Sequence, residues 1–249
     1  MSHSFITQIA DYTFSIKSLV ELNLSGNNLT SIGGLVFNGA QSLEKIDLSY
    51  NMITVIDADT FSTLTTLFDL NVSHNALHNS SFGDAGQEWD TDNPIASLKI
   101  LDLSYNNIFY YDYLPYQAFS GLPQLEKIYL RNNRIPIDYG CFSLNLFLKK
   151  VDLSYNNLVY FDLNMLLSVR NLKSVYVHGN GITYGDQVDV AEVRSVFPDL
   201  KKIGLSENNF ACETLAQIIR KLNKGGISLE VEDGTFVSKT RNLRGVKCV

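Results

Sequence analysis

An eleven-residue phrase, LxxLxLxxNxL, occurs eight times along the 249-residue chain. Its first, fourth, sixth and eleventh positions are aliphatic almost throughout, and its ninth position is asparagine. Successive asparagines are 24, 24, 31, 27, 23, 24 and 28 residues apart, so the phrase recurs in register along most of the chain. The eight copies begin at Leu19, Leu43, Leu67, Leu98, Leu125, Leu148, Leu172 and Leu200. A period of this length indicates a stack of similar structural units.

The alternation within the phrase predicts a short strand in every copy. The fourth and sixth residues are two apart, so on a strand both side chains point into a core. The third, fifth and seventh residues are then expected to point outward, and the eighth to lie at the rim. One unit cannot bury its own apolar edge, but stacked units bury it for one another. We therefore expect a curved stack with an eight-stranded parallel sheet on its concave side.

The phased asparagines have an expected structural role. Where the chain leaves each strand it turns sharply and places backbone N–H and C=O groups in the interior. An asparagine side chain carries two donors and an acceptor, so it can satisfy backbone groups on its own turn and on the next. We expect this column to be scaffold; its members are Asn27, Asn51, Asn75, Asn106, Asn133, Asn156, Asn180 and Asn208.

The second half of each unit carries aliphatic residues and a phenylalanine, as at Phe37 and Phe61. This pattern predicts a convex side of short helical or irregular segments. The opening residues Ile6, Ile9 and Phe14 repeat the second-half pattern, so the chain begins in the middle of a repeat. No signal peptide precedes them, and we expect this start to be an imposed boundary.

Two of the three cysteines flank a different kind of sequence at the end of the chain. After Cys212, apolar residues at helical spacing and then an alternating segment predict an amphipathic helix ending near Gly225, followed by a strand. This segment is expected to cap the open end of the stack. A Cys212–Cys248 disulfide would stabilise the cap by roughly 3–4 kcal/mol in the chain-entropy model. It would also indicate an oxidising compartment; the alternative is two reduced thiols.

Cys141 and the glycosylation motifs bear on location. Cys141 has no obvious partner within the chain, which leaves a buried free thiol or an intermolecular disulfide as alternatives. Four N-x-S/T motifs fit secretion, at Asn23, Asn28, Asn71 and Asn79. Asn79 begins an insertion and is the most favourable acceptor among them.

Charge and hydropathy argue against general nucleic-acid binding and against a membrane span. The net charge of −6 argues against a general nucleic-acid binder. The Lys149–Lys150 and Lys201–Lys202 pairs still leave room for a local basic patch. No apolar run is long enough to span a bilayer, so a membrane span within this segment is not expected.

The repeat length near 24, the convex phenylalanines and the cysteine-bounded cap resemble extracellular leucine-rich repeat proteins. The resemblance covers essentially the whole chain. It implies an α/β repeat solenoid, a horseshoe with a parallel concave sheet and a C-terminal cap. We expect residues 1–211 to form the solenoid, with a half repeat and eight full repeats, and residues 212–249 to form the cap.

A narrower resemblance lies in the cap. The stretches NNFACETLAQIIRKL and NLRGVKC look like the repeat-domain ends of insect, particularly mosquito, leucine-rich immune proteins. That family's repeat domains are secreted into haemolymph, and some members pair through disulfides and carry complement-like thioester proteins to pathogen surfaces. The resemblance implies protein partners of these two kinds, a thioester protein or another leucine-rich repeat protein, and an extracellular location.

Departures from the repeat mark a candidate binding site on the concave face. Serine dominates the seventh position but is replaced by Arg131 and His178 in the fifth and seventh repeats. With Tyr129 and Tyr176 they would form an irregular patch of the kind favoured at interfaces. The fifth-position aspartates Asp102 and Asp152 are expected to line the same face. The alternative is a solvated sheet face whose aspartates and lysines pair across strands.

The insertion after the third phrase offers a second candidate site. It contains Trp89, and the next repeat adds the aromatic residues Tyr110, Tyr111 and Tyr113. Insertions in repeat proteins often mark a binding edge. Such aromatic residues can equally fold down over the apolar flank of their own repeat, and the sequence leaves both interpretations open.

The residues give little support to catalysis. No nucleophile elbow, phosphate loop or dinucleotide fingerprint occurs, and the histidines lack the spacing of a metal site. No catalytic residue, metal or cofactor is expected. The leading hypothesis is a secreted recognition module of insect-type innate immunity. The alternatives are the ectodomain of a receptor or adhesion protein, and a leucine-rich inhibitor of a secreted enzyme.

Overall fold

Nine parallel strands of three residues each form one continuous sheet. The structure, a computed structural model, describes residues 1–57, 59–78, 94–110, 114, 116–183, 190–232 and 241–249. The strands follow one another in chain order across the sheet, as solenoid stacking requires. They are β1 (Glu21–Asn23), β2 (Lys45–Asp47), β3 (Asp69–Asn71), β4 (Ile100–Asp102), β5 (Lys127–Tyr129), β6 (Lys150–Asp152), β7 (Ser174–Tyr176), β8 (Lys202–Gly204) and β9 (Ser228–Glu230).

Neighbouring strands pair so that equivalent positions of the phrase lie next to each other. Glu21 pairs with Lys45, Leu22 with Ile46, and Lys202 with Ser174, so equivalent positions lie side by side. The fourth-position aliphatic residue is the buried centre of each of the first eight strands. The fold predicted from the phrase is therefore confirmed.

The sheet has one strand more than the eight predicted. The ninth, β9, comes from the cap and pairs with β8, placing Leu229 beside Ile203. The alternating segment around Leu229 has the same inward and outward pattern as a repeat strand, so it extends the sheet. The cap thus closes the end of the sheet partly by joining it.

The asparagine ladder binds backbone groups on two adjacent turns. The Asn133 amide donates to the carbonyls of Leu130 (3.1 Å) and Leu103 (3.0 Å), and its oxygen accepts the N–H of Ile108 (3.1 Å). Leu103 and Ile108 belong to the preceding repeat. The scaffold role is confirmed, but the second turn served is the preceding one and not the next, because each asparagine leans towards the repeat before it.

The convex side is built from short segments and stacked phenylalanines. The rings of Phe14, Phe37 and Phe61 stack with centroids 5.9 and 5.8 Å apart, and those of Phe119 and Phe142 with centroids 5.4 Å apart. Among the described residues, the regular elements on this side are the strand pair Ser31–Ile32 and Val55–Ile56, the 3-10 helix Leu163–Leu166 and helix α1 (Val190–Val196).

The C-terminal cap contains the predicted amphipathic helix. Helix α2 (Cys212–Lys224) has Gly225 as its C-cap and buries Leu215, Ile219 and Leu222. Two short strands, Asn242–Leu243 and Val246–Lys247, form an antiparallel pair after it. The predicted disulfide is confirmed, with Cys212 and Cys248 joined and their Cα atoms 4.9 Å apart.

Cys141 is a free thiol in the core. Its side chain is buried, and burial raises the pKa of the thiol to about 12. Of the two alternatives for Cys141, this geometry favours the buried free thiol. An intermolecular disulfide needs an accessible thiolate, and burial at this position opposes both access and ionisation.

Within the part of the chain that the structure describes, no helix combines the length and apolarity needed to cross a membrane.

Candidate functional site

The predicted binding residues Asp102 and Asp152 have a structural task. The Asp102 carboxylate accepts the N–H of Ser104 at 2.9 Å, and Asp152 accepts that of Ser154 at 3.0 Å. Asn23 makes the same bond to Ser25. An Asx side chain at the fifth position therefore closes the turn at the strand end. These aspartates still line the concave face, where burial raises the pKa of Asp102.

The seventh position is buried in six of the eight repeats, where the expectation that it faces outward is wrong; Ser25 and Arg131 are partly exposed. Ser154 and Ser206 are almost fully buried in this column. The next residue in each repeat has a left-handed backbone, as at Tyr155 (φ 57°), so the chain turns inward directly after the seventh residue. The seventh side chain therefore lies between adjacent repeats, where Ser154 Oγ accepts the N–H of His178 at 3.3 Å.

The fifth and seventh repeats depart from this Asx–Ser arrangement together. Both carry tyrosine at the fifth position, so Tyr129 and Tyr176 project from β5 and β7 and are partly exposed. Lys150 of the intervening strand β6 places its ammonium 4.6 Å from the Tyr129 ring centroid and 4.9 Å from that of Tyr176. Burial lowers the pKa of Lys150. We call Tyr129, Lys150 and Tyr176 the tyrosine–lysine cluster.

Arg131 is engaged within the molecule. Its guanidinium pairs with the carboxylate of Glu232, receives the face of the Tyr155 ring at 4.4 Å, and donates to the hydroxyl of Tyr105 at 3.2 Å. Burial alone would lower the pKa of Arg131, but the bonds to Glu232 and Tyr105 outweigh burial and raise it. Arg131 therefore ties the fifth repeat to the cap, and its side chain is only partly available to a partner.

His178 is buried, at 5% exposure. Its Nδ1 lies at hydrogen-bond distance from Ser206 Oγ, and its ring occupies the space above Gly204, where a Cβ would come within 2.1 Å of the imidazole. Glycine at this position of β8 makes room for the histidine. The patch proposed from sequence is thus only partly assembled: the two tyrosines meet through Lys150, whereas His178 lies beneath the surface.

Burial of His178 gives a testable pH dependence. Desolvation lowers the pKa of His178. The folded protein then binds fewer protons here than the unfolded chain, so stability is lost as pH falls below the ordinary histidine value of about 6.5. Urea unfolding at about pH 7.5 and about pH 5.5 should show a smaller free energy of unfolding at the lower pH. The variant His178→Gln should lose most of this difference; an equal pH dependence in both proteins would contradict the assignment.

Aromatic side chains at the eighth position of the phrase stack along the edge of the sheet where the strands end, and we call this row the ledge. Tyr50, His74 and Tyr105 stack with successive centroids 4.0 and 4.1 Å apart, and Tyr50 is 60% exposed. Tyr155 continues the ledge and hydrogen-bonds Glu207 across Gly179, where a Cβ would meet the Tyr155 ring. The phrase predicts that the eighth position lies at the rim, but the stacking of its aromatic side chains was not predicted. The recurrence of tyrosine at this position, at Tyr50, Tyr105 and Tyr155, was the available signal.

A separate cleft of about 470 Å³ lies over β1–β3 at the N-terminal end of the concave face. Its polar lining includes Asn23 and Asn71, two of the predicted glycosylation acceptors. A glycan on either would occupy this end of the face and leave β4–β9 open. Asn28 is partly exposed, and glycosylation at all of these positions stays a prediction.

The insertion site falls largely outside the described residues. Trp89, Tyr111, Tyr113 and the acceptor Asn79 belong to stretches that the structure does not describe. Tyr110 is described and packs against the core. For this residue the geometry favours cover of its own repeat over presentation to a partner.

The arrangement supports noncovalent recognition. Among the described residues, no three His, Cys, Asp or Glu side chains are grouped as metal ligands. The concave face presents partly exposed tyrosines, lysines and carboxylates on a rigid sheet. Such side chains provide the aromatic contacts and charge-assisted hydrogen bonds typical of protein interfaces.

Comparison with known proteins supports the repeat fold. The family model described as leucine rich repeat matches residues 17–77 and 76–135, which include the first five phrases. The chain folds as a leucine-rich repeat solenoid. A sequence search among curated proteins gives no significant match to this solenoid.

Three solved structures show how far the likeness extends. The leucine-rich repeat domain of mosquito APL1B matches 97% of this chain at 23% identity and a TM-score of 0.64. The mosquito LRIM1/APL1C complex contains a chain matching 98% at 22% identity and a TM-score of 0.61. A chain of the Drosophila Toll–Spatzle complex matches 87% at 25% identity and a TM-score of 0.63.

The matched chains are longer than this 249-residue chain. It spans 62% of the APL1B chain, 40% of the LRIM1/APL1C chain and 29% of the Toll–Spatzle chain. The resemblance to mosquito leucine-rich immune proteins is thus confirmed at the level of the fold.

Proposed function

We propose that this solenoid is a secreted recognition module of insect-type innate immunity that binds a protein partner on its concave face. The observation that carries the proposal is the tyrosine–lysine cluster on β5–β7. There the Asx–Ser pattern that closes the turns of five other repeats is replaced by two tyrosines on either side of a partly buried lysine. Tyrosine is one of the residue types enriched among those that supply most of the binding energy at protein interfaces.

The structural relatives support the immune setting. The matched structures include complexes between proteins, LRIM1 with APL1C and Toll with Spatzle, the latter described as a hub of development and innate immunity. The Cys212–Cys248 disulfide supports an oxidising, extracellular location. We therefore propose a complement-like thioester protein or another leucine-rich repeat protein as the partner.

Affinity capture from insect haemolymph tests the proposal. The immobilised chain is expected to retain an immune factor, identified by mass spectrometry. The double variant Tyr129→Ala/Tyr176→Ala should retain it at least about tenfold less, because truncating a central aromatic residue typically costs more than 1 kcal/mol.

The matched control is Tyr116→Ala/Tyr139→Ala, which removes two exposed tyrosines outside the concave sheet. It should bind like the parent chain, and circular dichroism checks that all variants are folded. Recovery of a secreted hydrolase alone would overturn the immune assignment in favour of an enzyme inhibitor. Equal capture by both double variants would overturn the concave-face assignment.

A further inference from the structure

Two rows of charged side chains run along the entry edge of the concave sheet, from the second and third positions of the phrase. In the first three repeats they hold Glu21, Glu44, Asp69 and one cation, Lys45. In repeats four to eight the sign reverses, and the rows hold seven lysines and one glutamate. We call this set the lysine rows: Lys99, Glu126, Lys127, Lys149, Lys150, Lys173, Lys201 and Lys202.

Only part of this positive charge is neutralised internally. Lys149 pairs with Glu126, and Lys202 pairs with Glu230 at 3.2 Å. Lys99, Lys127, Lys173 and Lys201 form no ion pair within the described residues. A chain of net charge −6 therefore concentrates unpaired cations on one edge of one face. Such a field attracts an anionic ligand and raises its association rate.

The curvature of the sheet limits what can reach the lysine rows. Neighbouring strands lie about 4.8 Å apart, so β5 and β9 would be about 19 Å apart on a flat sheet. Yet Arg131, just after β5, pairs with Glu232, just after β9. The face is therefore concave here, and a flat membrane surface cannot contact its floor. The ligand has to be narrow enough to lie within the curve.

The neighbouring row of side chains limits the chemistry further. The fifth position lies two residues along each strand, about 6–7 Å from the third. It presents carboxylates and tyrosines in alternation across β4–β7, in the order Asp102, Tyr129, Asp152 and Tyr176. A uniformly charged polyanion would meet these carboxylates. A polypeptide can place carboxylates against the lysines and hydrogen-bond donors or apolar groups against the aspartates and tyrosines.

We propose that the lysine rows bind an acidic segment of the partner protein, an extended stretch rich in Asp and Glu that crosses β4–β8 beside the tyrosine–lysine cluster. This inference rests on the proposed function and adds the chemistry of the partner. The tyrosines supply short-range contacts, and the lysines supply charge complementarity and register. Binding should consequently weaken as salt screens the lysines.

Isothermal titration with a defined peptide tests the inference. The probe is a synthetic peptide of alternating Glu and Gln with one central Tyr, and a peptide with Lys in place of Glu is its control. The acidic peptide should bind, and its affinity should fall about tenfold between about 50 and about 300 mM NaCl. The lysine peptide should show no binding.

Charge-reversal variants locate the site. The triple variant Lys99→Glu/Lys173→Glu/Lys201→Glu alters exposed side chains without ion pairs, and should reduce the affinity at least about tenfold. Lys17→Glu/Lys224→Glu/Lys247→Glu changes the net charge equally at exposed positions outside the rows, and should retain most of the affinity. Equal loss in both variants would overturn the site.

The result also separates this inference from the proposed function. Tighter binding of a heparin oligosaccharide than of the acidic peptide would overturn the inference in favour of a glycan. If haemolymph capture depends on Tyr129 and Tyr176 but is unchanged in the triple variant, the inference fails and the proposed function stands. If capture fails in the parent chain while the acidic peptide binds the rows, the proposed function fails instead.

Discussion

Replacing Cys212 and Cys248 with serine is expected to lower the free energy of unfolding by about 3–4 kcal/mol. The bridge spans 36 residues and holds both ends of the cap, so its loss releases a long loop of the unfolded chain. The cap also supplies β9 and Glu232, which pairs with Arg131. Urea unfolding followed by circular dichroism measures the effect.

Reduction provides the control for this variant. A reducing agent should destabilise the parent chain by a similar amount and leave the double serine variant unchanged. Backbone amide hydrogen exchange should also become faster in α2 and β9 of the variant. Without the disulfide the cap can unfold locally while the repeats stay folded. A double variant as stable as the oxidised parent would show that the bridge does not hold the cap.

Replacing Asn156 with leucine is expected to cost about 3 kcal/mol, since it leaves a buried donor without its acceptor. Asn156 Oδ1 accepts the N–H of Ile135 at 3.0 Å, and its amide donates to the carbonyls of Leu130 and Leu153 at 2.9 and 3.1 Å. Each carbonyl also accepts from a neighbouring ladder asparagine, so the main loss is at Ile135.

Asn107→Ala is the matched control for the ladder. Asn107 is exposed at the tenth position of its phrase, so its loss should change stability by less than about 0.5 kcal/mol. Both variants are compared with the parent chain by urea unfolding at a fixed pH. If Asn156→Leu were no more destabilising than Asn107→Ala, the ladder would not be the scaffold of the solenoid.

The regular positions of the phrase made the fold predictable. The spacing of Leu22 and Leu24 defines a strand with one buried side, and eight repetitions define the stack. The roles of the asparagine column and of the convex phenylalanines were predictable because both are local. The asparagines satisfy buried backbone groups, and the phenylalanines cover the apolar flank of a repeat. The helix after Cys212 was predictable for the same reason, since its periodicity is local.

Long-range contacts were not predictable from the phrase. Glu232 meets Arg131 only because β9 joins the sheet and the face is curved, and neither fact follows from local spacing. The burial of His178 depends on the left-handed residue after it and on the glycine at position 204 of the next repeat. The tyrosine–lysine cluster likewise requires the register of β5, β6 and β7, which brings Lys150 between two rings.

We propose that the departures of the fifth and seventh repeats from the phrase form the partner-binding surface. Hydroxyl-radical footprinting of the chain with and without its captured partner tests this claim most directly, because it reads tyrosine side chains individually. We expect oxidation of Tyr129 and Tyr176 to fall in the complex while that of Tyr116 and Tyr139 is unchanged. Protection of Tyr116 and Tyr139, with Tyr129 and Tyr176 oxidised as in the free chain, would contradict it.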